Sequence, residues 1–213
     1  MLIEVNNISK KFDLPKFKLS SKENSFISVI ENFSMDIESK DFICLVGNNG
    51  SGKTTLLKIL ADLIIQDEGS ISRNGKISFV STNERSFFWR LSVKENLRFF
   101  SSLTKNKVSI LDDDLINILG IDKFLEKRFM NLSSGQKKKV MIARSLISEA
   151  DIFLFDEITN SLDELSRKQI IDFIHEDIFL KKNKAIVWAT HNPHEINKKY
   201  NKLIDLNKRN RNA

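Results

Sequence analysis

Residues 42–60 constrain this chain more than any other stretch. Phe42-Ile43-Cys44-Leu45-Val46 is a wholly apolar run with the length of a buried strand. It stops at Gly47-Asn48-Asn49-Gly50-Ser51-Gly52, after which Lys53 opens a helix-like segment reaching residue 62. Strand, glycine-rich turn and helix in this order match the pattern G-x-x-x-x-G-K-[ST], completed here by Thr54. The residue types follow from the job. Glycines let backbone N–H groups turn inward and form a nest for phosphate oxygens. The helix adds its positive N-terminal end. Lys53 has the reach for β- and γ-phosphates, and the Thr54 hydroxyl can ligate Mg2+.

A second element lies downstream. Ile152-Phe153-Leu154-Phe155 is apolar and runs straight into Asp156 and Glu157. A buried strand ending in Asp156 would deliver a hard oxygen ligand to the carboxyl edge of a sheet, where α/β folds bind ligands. Asp156 would hold Mg2+ through water, and Glu157 would polarise an attacking water as general base. An apolar run ending in two carboxylates is common. Its meaning comes from the phosphate loop upstream.

The remaining pattern sets the fold class. Strands are expected at residues 2–5, 26–29, 35–37, 76–81, 185–189 and 203–206, with a polar, lysine-rich loop over 13–24. Helical spacing runs through 92–128, 134–148 and 165–180. Strands alternating with helices imply a parallel α/β sheet. The expected architecture is a P-loop NTPase with a mostly parallel core sheet and an N-terminal antiparallel β part. A helical lobe at about 92–149 is inserted in a single domain spanning 1–213.

Composition excludes other classes. One cysteine and three histidines among 213 residues support neither a disulfide framework nor a zinc site. The net charge of +6 suits an anionic ligand or a membrane face and does not by itself indicate nucleic acid. No apolar run approaches the roughly 20 residues that span a bilayer, and the N-terminus lacks a signal-peptide pattern. The chain reads as soluble, so a membrane role would come through a partner.

Between the two elements lies Leu132-Ser133-Ser134-Gly135-Gln136, just before a basic amphipathic helix. With it the chain resembles the nucleotide-binding subunit of ABC transporters, almost end to end. Residues 132–136 resemble the LSGGQ signature, with Ser134 in place of its first glycine. Asn160-Ser161-Leu162-Asp163 resembles the D-loop, and His191 matches the switch histidine that contacts γ-phosphate. Phe12 stands where the family places an adenine-stacking aromatic.

The resemblance implies ATP and Mg2+ as ligands. Phe12, Gly47, Asn48, Asn49, Gly50, Ser51, Gly52, Lys53, Thr54 and Thr55 would bind the nucleotide, with Thr54 and Asp156 on the metal. Glu157, His191 and Lys53 would be catalytic. Ser133, Ser134, Gly135 and Gln136 would meet the ATP of a second copy, with Asp163 in the D-loop beside them. A homodimer, or a dimer with a homologous ATPase subunit, would then sandwich two ATP molecules and drive separately encoded transmembrane subunits. No nucleic acid partner is implied. The chain would sit in the cytoplasm, peripheral on the inner face of the membrane.

Departures from the pattern carry further expectations. The glutamine usual after the strand at 76–81 is missing, and Thr82 or Asn83 takes its place. Ser134, this absence and the lengthened segment 13–24 resemble exporter branches, polysaccharide exporters included. Phe87-Phe88-Trp89 would line the groove that receives a helix of a membrane subunit, or else pack the helical lobe. Lys137-Lys138-Lys139, Lys198-Lys199 and the Arg209/Arg211 tail read as solvated surface, with contact to lipid headgroups as the alternative. His175 and His194 carry no motif. The chain ends soon after His191, so no C-terminal regulatory domain is expected. The alternative function is a soluble, non-transport ABC-type ATPase similar to iron–sulfur assembly factors.

Overall fold

The computed structural model describes residues 1–13, 26–81, 86–104, 113–160 and 162–209. Most of the 13–24 loop, Thr82 and Asn83, Ser161 and Arg211 lie outside the described residues.

Two sheets carry the chain. β1 (Ile3–Asp13) lies between β2 (Phe26–Ile37) and β4 (Glu68–Arg73), and both pairings are antiparallel. The second sheet has the order β5-β6-β7-β3-β8, with β3 at Phe42–Val46, β5 at Ile77–Val80 and β6 at Ile152–Asp156. β7 covers Ala185–Thr190 and β8 covers Lys202–Asp205, and all pairings in this sheet are parallel.

The parallel sheet is covered on both faces, which explains its continuous apolar strands. Alternate side chains go to opposite sides. Phe42, Cys44, Phe153, Phe155, Ile186 and Trp188 join one buried cluster with Val140 and Ile142 of α4 (Ser134–Ile147) and Ile170 of α5 (Glu164–Phe173). Ile43, Leu45, Ile152, Leu154 and Val187 join the other, with Leu56, Leu57 and Leu60 of α1 (Lys53–Leu60) and Ile3, Val5 and Ile8 of β1. The antiparallel sheet and α1 therefore share a core beneath the parallel sheet. Helices α2 (Val93–Ser102), α3 (Asp113–Leu119) and α4 follow one another between β5 and β6, and α4 touches both others.

Three expectations need correction. The apolar runs at 26–29 and 35–37 belong to one strand, because residues between them bulge without turning; Asn32 takes φ +43 and the β1–β2 register shifts nearby. β4 had no expected counterpart, since Glu-Gly-Ser-Ile-Ser-Arg lacks apolar alternation and is held by pairing to β1. The helix expected over 165–180 is α5 continued by a π-helical stretch, Ile174–Lys181. A short helix, α6 (Leu206–Arg209), follows β8.

Candidate functional site

The sheet topology builds the site. β7 lies between β3 and β6, with Val46 opposite Thr190 and Asp156 opposite Ala189. The three strands therefore end level, and Gly47, His191 and Glu157 leave the sheet at the same carboxyl edge.

The loop after β3 turns at Gly50 (φ +84) and Gly52 (φ +96), the residue before α1. At Gly52 a Cβ would lie 2.9 Å from the Val29 carbonyl oxygen, so both the conformation and the close approach require glycine. Lys53 Nζ donates to the carbonyls of Gly47 (2.7 Å) and Asn48 (3.2 Å) and lies 3.7 Å from Glu157 Oε1. Ser51 Oγ is buried with no hydrogen-bond partner among the described residues. A buried orphan hydroxyl beside a glycine turn and a lysine fits an anionic group carrying several acceptor oxygens.

Thr54 Oγ1 donates to Asp156 Oδ2 at 2.8 Å. Burial pushes the Asp156 pKa up and adjacent Glu157 adds to this, while the Thr54 hydrogen bond and Lys53 oppose it. A desolvated carboxylate beside a hydroxyl is a hard oxygen pair that fits Mg2+ once phosphate oxygens complete its shell. No cluster of three or more His, Cys, Asp or Glu side chains among the described residues could hold a metal unaided.

Glu157 takes a left-handed conformation (φ +51), and its N–H donates to the Ala189 carbonyl at 3.0 Å. Asn160 Nδ2 donates to Glu157 Oε2 at 2.7 Å, and His191 Nδ1 lies 3.4 Å from Oε1. The His191 side chain is 54% exposed. A cleft of about 440 Å³ opens over Glu157, lined by Phe12, Val29, residues 49–55, Asp156 and Glu157, with His191 and Asn160 outside its lining. Phe12 is 40% exposed, with the Lys10 ammonium 5.5 Å from its ring.

Other motif residues lie elsewhere. Ser133 caps α4: its hydroxyl accepts from Gln136 N, and Gln136 Oε1 accepts from Ser133 N. Asp163 caps α5 through Ser166 N at 2.8 Å, and hydrogen bonds from Ser166 hold its carboxyl below the usual range. Neither Asp163 nor residues 133–136 line the cleft of their own chain.

A second cavity, about 700 Å³, runs between α1, β5 and α4, and Thr54 and Asp156 line both cavities. Of the three aromatics expected along a groove, only Phe87 lines this one, and it is also core, stacked on Phe129 at 4.4 Å. Phe88 and Trp89 are about half exposed outside it. Buried Asn96 shapes this segment, accepting from Phe88 N and donating to the Phe88 and Ser92 carbonyls.

The lysine run is not solvated surface. Lys137 lies over Trp89 at 4.6 Å, Lys139 donates to Ser166, and Lys138 reaches the carbonyls of Glu157 and Asn160. Lys199 pairs with Asp172 at 2.8 Å. Sequence reasoning also missed Asn160, Glu195 and Asn207. Glu195 accepts from Thr159 Oγ1 and Trp188 Nε1, and Asn207 Oδ1 accepts from Asn48 N. Asn160 reads only as part of the D-loop, without its bond to Glu157 three residues away, whereas no local pattern marks Glu195 or Asn207, which reach Thr159 and Asn48 from distant segments.

The ABC transporter family description matches residues 30–160, a span that includes the phosphate loop, the signature and the acidic strand. The chain belongs to the ABC transporter family. It is 35% identical over 188 residues to the aliphatic sulfonates import ATP-binding protein SsuB of Bacillus subtilis, covering 81% of this chain and 72% of that protein. It is 29% identical to the taurine import ATP-binding protein TauB of a Jannaschia species, over 91% of this chain and 73% of TauB. ABC transporter ATP-binding protein NatA of Bacillus subtilis is also 29% identical, with 80% and 74% covered. In fold, the chain superposes on a dimeric, post-hydrolysis structure of the ATP-binding cassette MJ0796 bound to ADP and Pi. The TM-score is 0.81 at 20% identity, over 96% of this chain and 94% of that one. This ABC-family chain is an ATP-binding ATPase subunit of a transporter.

Proposed function

We propose that two copies of this chain, or this chain and a homologous ATPase subunit, close around two ATP molecules and thereby drive separate transmembrane subunits. The observation that carries this reading is the convergence of Lys53, Thr54, Asp156, Glu157 and His191 at one sheet edge, beside the orphan Ser51 hydroxyl. Phe12 stacks on adenine, and residues 47–55 wrap the phosphates with backbone N–H groups. Thr54 and Asp156 hold Mg2+, which when bound neutralises phosphate charge.

Glu157 accepts the proton of the attacking water as that water's oxygen bonds to the γ-phosphorus. The bond from the γ-phosphorus to the bridging oxygen breaks, and ADP leaves with its electron pair. Lys53 offsets negative charge on the β- and γ-phosphates, and His191 fixes the γ-phosphate beside Glu157. Ser133, Ser134, Gly135 and Gln136, at the positive end of α4, meet the partner's ATP with Asp163 beside them. Their position outside the chain's own cleft supports that reading. Loss of the shared phosphate loosens the pair.

The 700 Å³ cavity supports coupling to a membrane subunit, since Thr54 and Asp156 also form part of its wall. No helix among the described residues is long and apolar enough to cross a membrane. A place on the cytoplasmic face, held by the transmembrane subunits, accords with this. The export direction expected from Ser134 and the absent glutamine gains no support, because the relatives whose names state a direction are import proteins. The non-transport alternative is not favoured by the transporter relatives.

Glu157→Gln tests the chemistry: turnover falls sharply while an ATP-stabilised dimer accumulates in size-exclusion chromatography. Wild-type turnover would remove Glu157 as base. A gentle membrane pull-down tests the role, with a stoichiometric polytopic membrane protein as the expected companion. Soluble partners alone would overturn the transport reading.

A further inference from the structure

Lys138 has no role in the reading above, yet it touches the residue on which hydrolysis turns. It lies in the second turn of α4, part-buried, and its ammonium donates to the peptide carbonyls of both Glu157 (3.4 Å) and Asn160. Burial lowers its pKa, while the carboxylates of Glu157, Asp156 and Glu195 act to raise it. It is therefore a part-buried cation bridging two carbonyls of one loop.

That loop needs restraint. Glu157 at φ +51 is in a conformation that residues with a Cβ rarely adopt, so surrounding contacts must hold it. Four of them do so. Its N–H donates to Ala189, its carbonyl accepts from Lys138 and from Asn160 N, and its carboxylate accepts from Asn160 Nδ2. Lys138 thus holds the Glu157 backbone directly and also the backbone of Asn160, whose side chain grips the carboxylate.

We propose that Lys138 is a positioning residue for Glu157, its ammonium bridging the Glu157 and Asn160 carbonyls so that the carboxylate faces the attacking water. The inference rests on Glu157 acting as base. It adds a physical link between the two sites of the pair, because Lys138 rides on the same helix as Ser133, Ser134, Gly135 and Gln136. A shift of α4 against the partner's nucleotide moves the ammonium that fixes this chain's own base.

The test measures kcat, KM and thermal stability for K138M, which keeps the length of the arm and removes its charge and donors. The expected result is a kcat lower by about 10–100-fold, the scale of a slightly misplaced catalytic group. KM and nucleotide affinity stay unchanged, and K138R recovers most of the lost kcat. K138M added to E157Q lowers turnover no further than E157Q alone, because both changes act through one carboxylate. If K138M does not fold, K138A takes its place with the same expectations. Wild-type kcat in K138M, or a full independent loss on top of E157Q, would overturn the proposal. A fall in stability with kcat per folded molecule intact would do the same. Wild-type turnover in E157Q would instead remove the base reading itself.

Discussion

The Thr54 hydroxyl donates to the Asp156 carboxylate at 2.8 Å, joining two segments 102 residues apart in the chain. This contact locks the first turn of α1 to the end of β6, across a sheet in which β7 separates β3 from β6. It also presents two oxygen ligands at the mouth of the phosphate loop.

Asp156 should limit the stability of the nucleotide-free protein. Burial raises its pKa above the ordinary 3.8. A carboxyl with a raised folded-state pKa contributes most below its unfolded pKa, and that contribution is lost as pH rises through the folded value. At neutral pH the buried charge is therefore a cost that Asp156→Asn relieves. The expected outcome is a higher Tm without nucleotide and a smaller stabilisation by Mg2+ with ATP than in the wild type, read by thermal melts with and without both. A lower Tm in nucleotide-free D156N would contradict the burial argument.

Gly52→Ala should weaken both fold and nucleotide binding. The added Cβ would lie 2.9 Å from the Val29 carbonyl oxygen at a φ of +96. Strain of this kind costs on the order of 1–3 kcal/mol. In a chain of this size each kcal/mol lowers Tm by about 2–4 °C. Calorimetry of the variant, with and without ATP, gives the two losses separately.

Glu195 should act as a structural brace behind the site. Its carboxylate accepts from Thr159 Oγ1 at 2.9 Å and from Trp188 Nε1 at 3.2 Å, and both donors belong to fully buried residues. Glu195→Leu removes both acceptors and leaves two buried donors unsatisfied, at about 1–3 kcal/mol each. Urea unfolding should show a lower midpoint at unchanged slope, and turnover should fall because Thr159 lies between Glu157 and Asn160. An unchanged midpoint would show that the carboxylate braces nothing.

Cys44 should be inert to thiol reagents in the folded protein. Burial first, and Glu195 second, push its thiol from 9.0 up to about 12. The thiolate is the reacting form, so at pH 8 alkylation should proceed only through unfolding. Labelling rates that follow denaturant concentration would confirm this, and rapid labelling in native buffer would refute it.

The sequence by itself determined the parts whose signal is local. The run 42–54 contains its own strand, turn and helix start, and β3 and α1 begin and end close to where the apolar and glycine residues say they must. Strand β6 and its two carboxylates were legible for the same reason. Phe87 shows where local reading stops: an aromatic beside a candidate groove and an aromatic in the core look alike until the Phe129 stack appears. Lys138 shows it again, since a lysine among lysines reads as surface.

What only the tertiary structure decided is how separate segments meet. The insertion of β7 between β3 and β6 brings Gly47, His191 and Glu157 to one edge, and no residue within those strands announces that order. The grip of Lys138 on the Glu157 carbonyl, the Asn207 contact to the phosphate loop and the Thr159–Glu195 bond likewise join segments that lie apart in the chain. Backbone propensity and apolar periodicity act over a few residues, whereas these hydrogen bonds form only after the sheet has closed the distance between the segments that carry them.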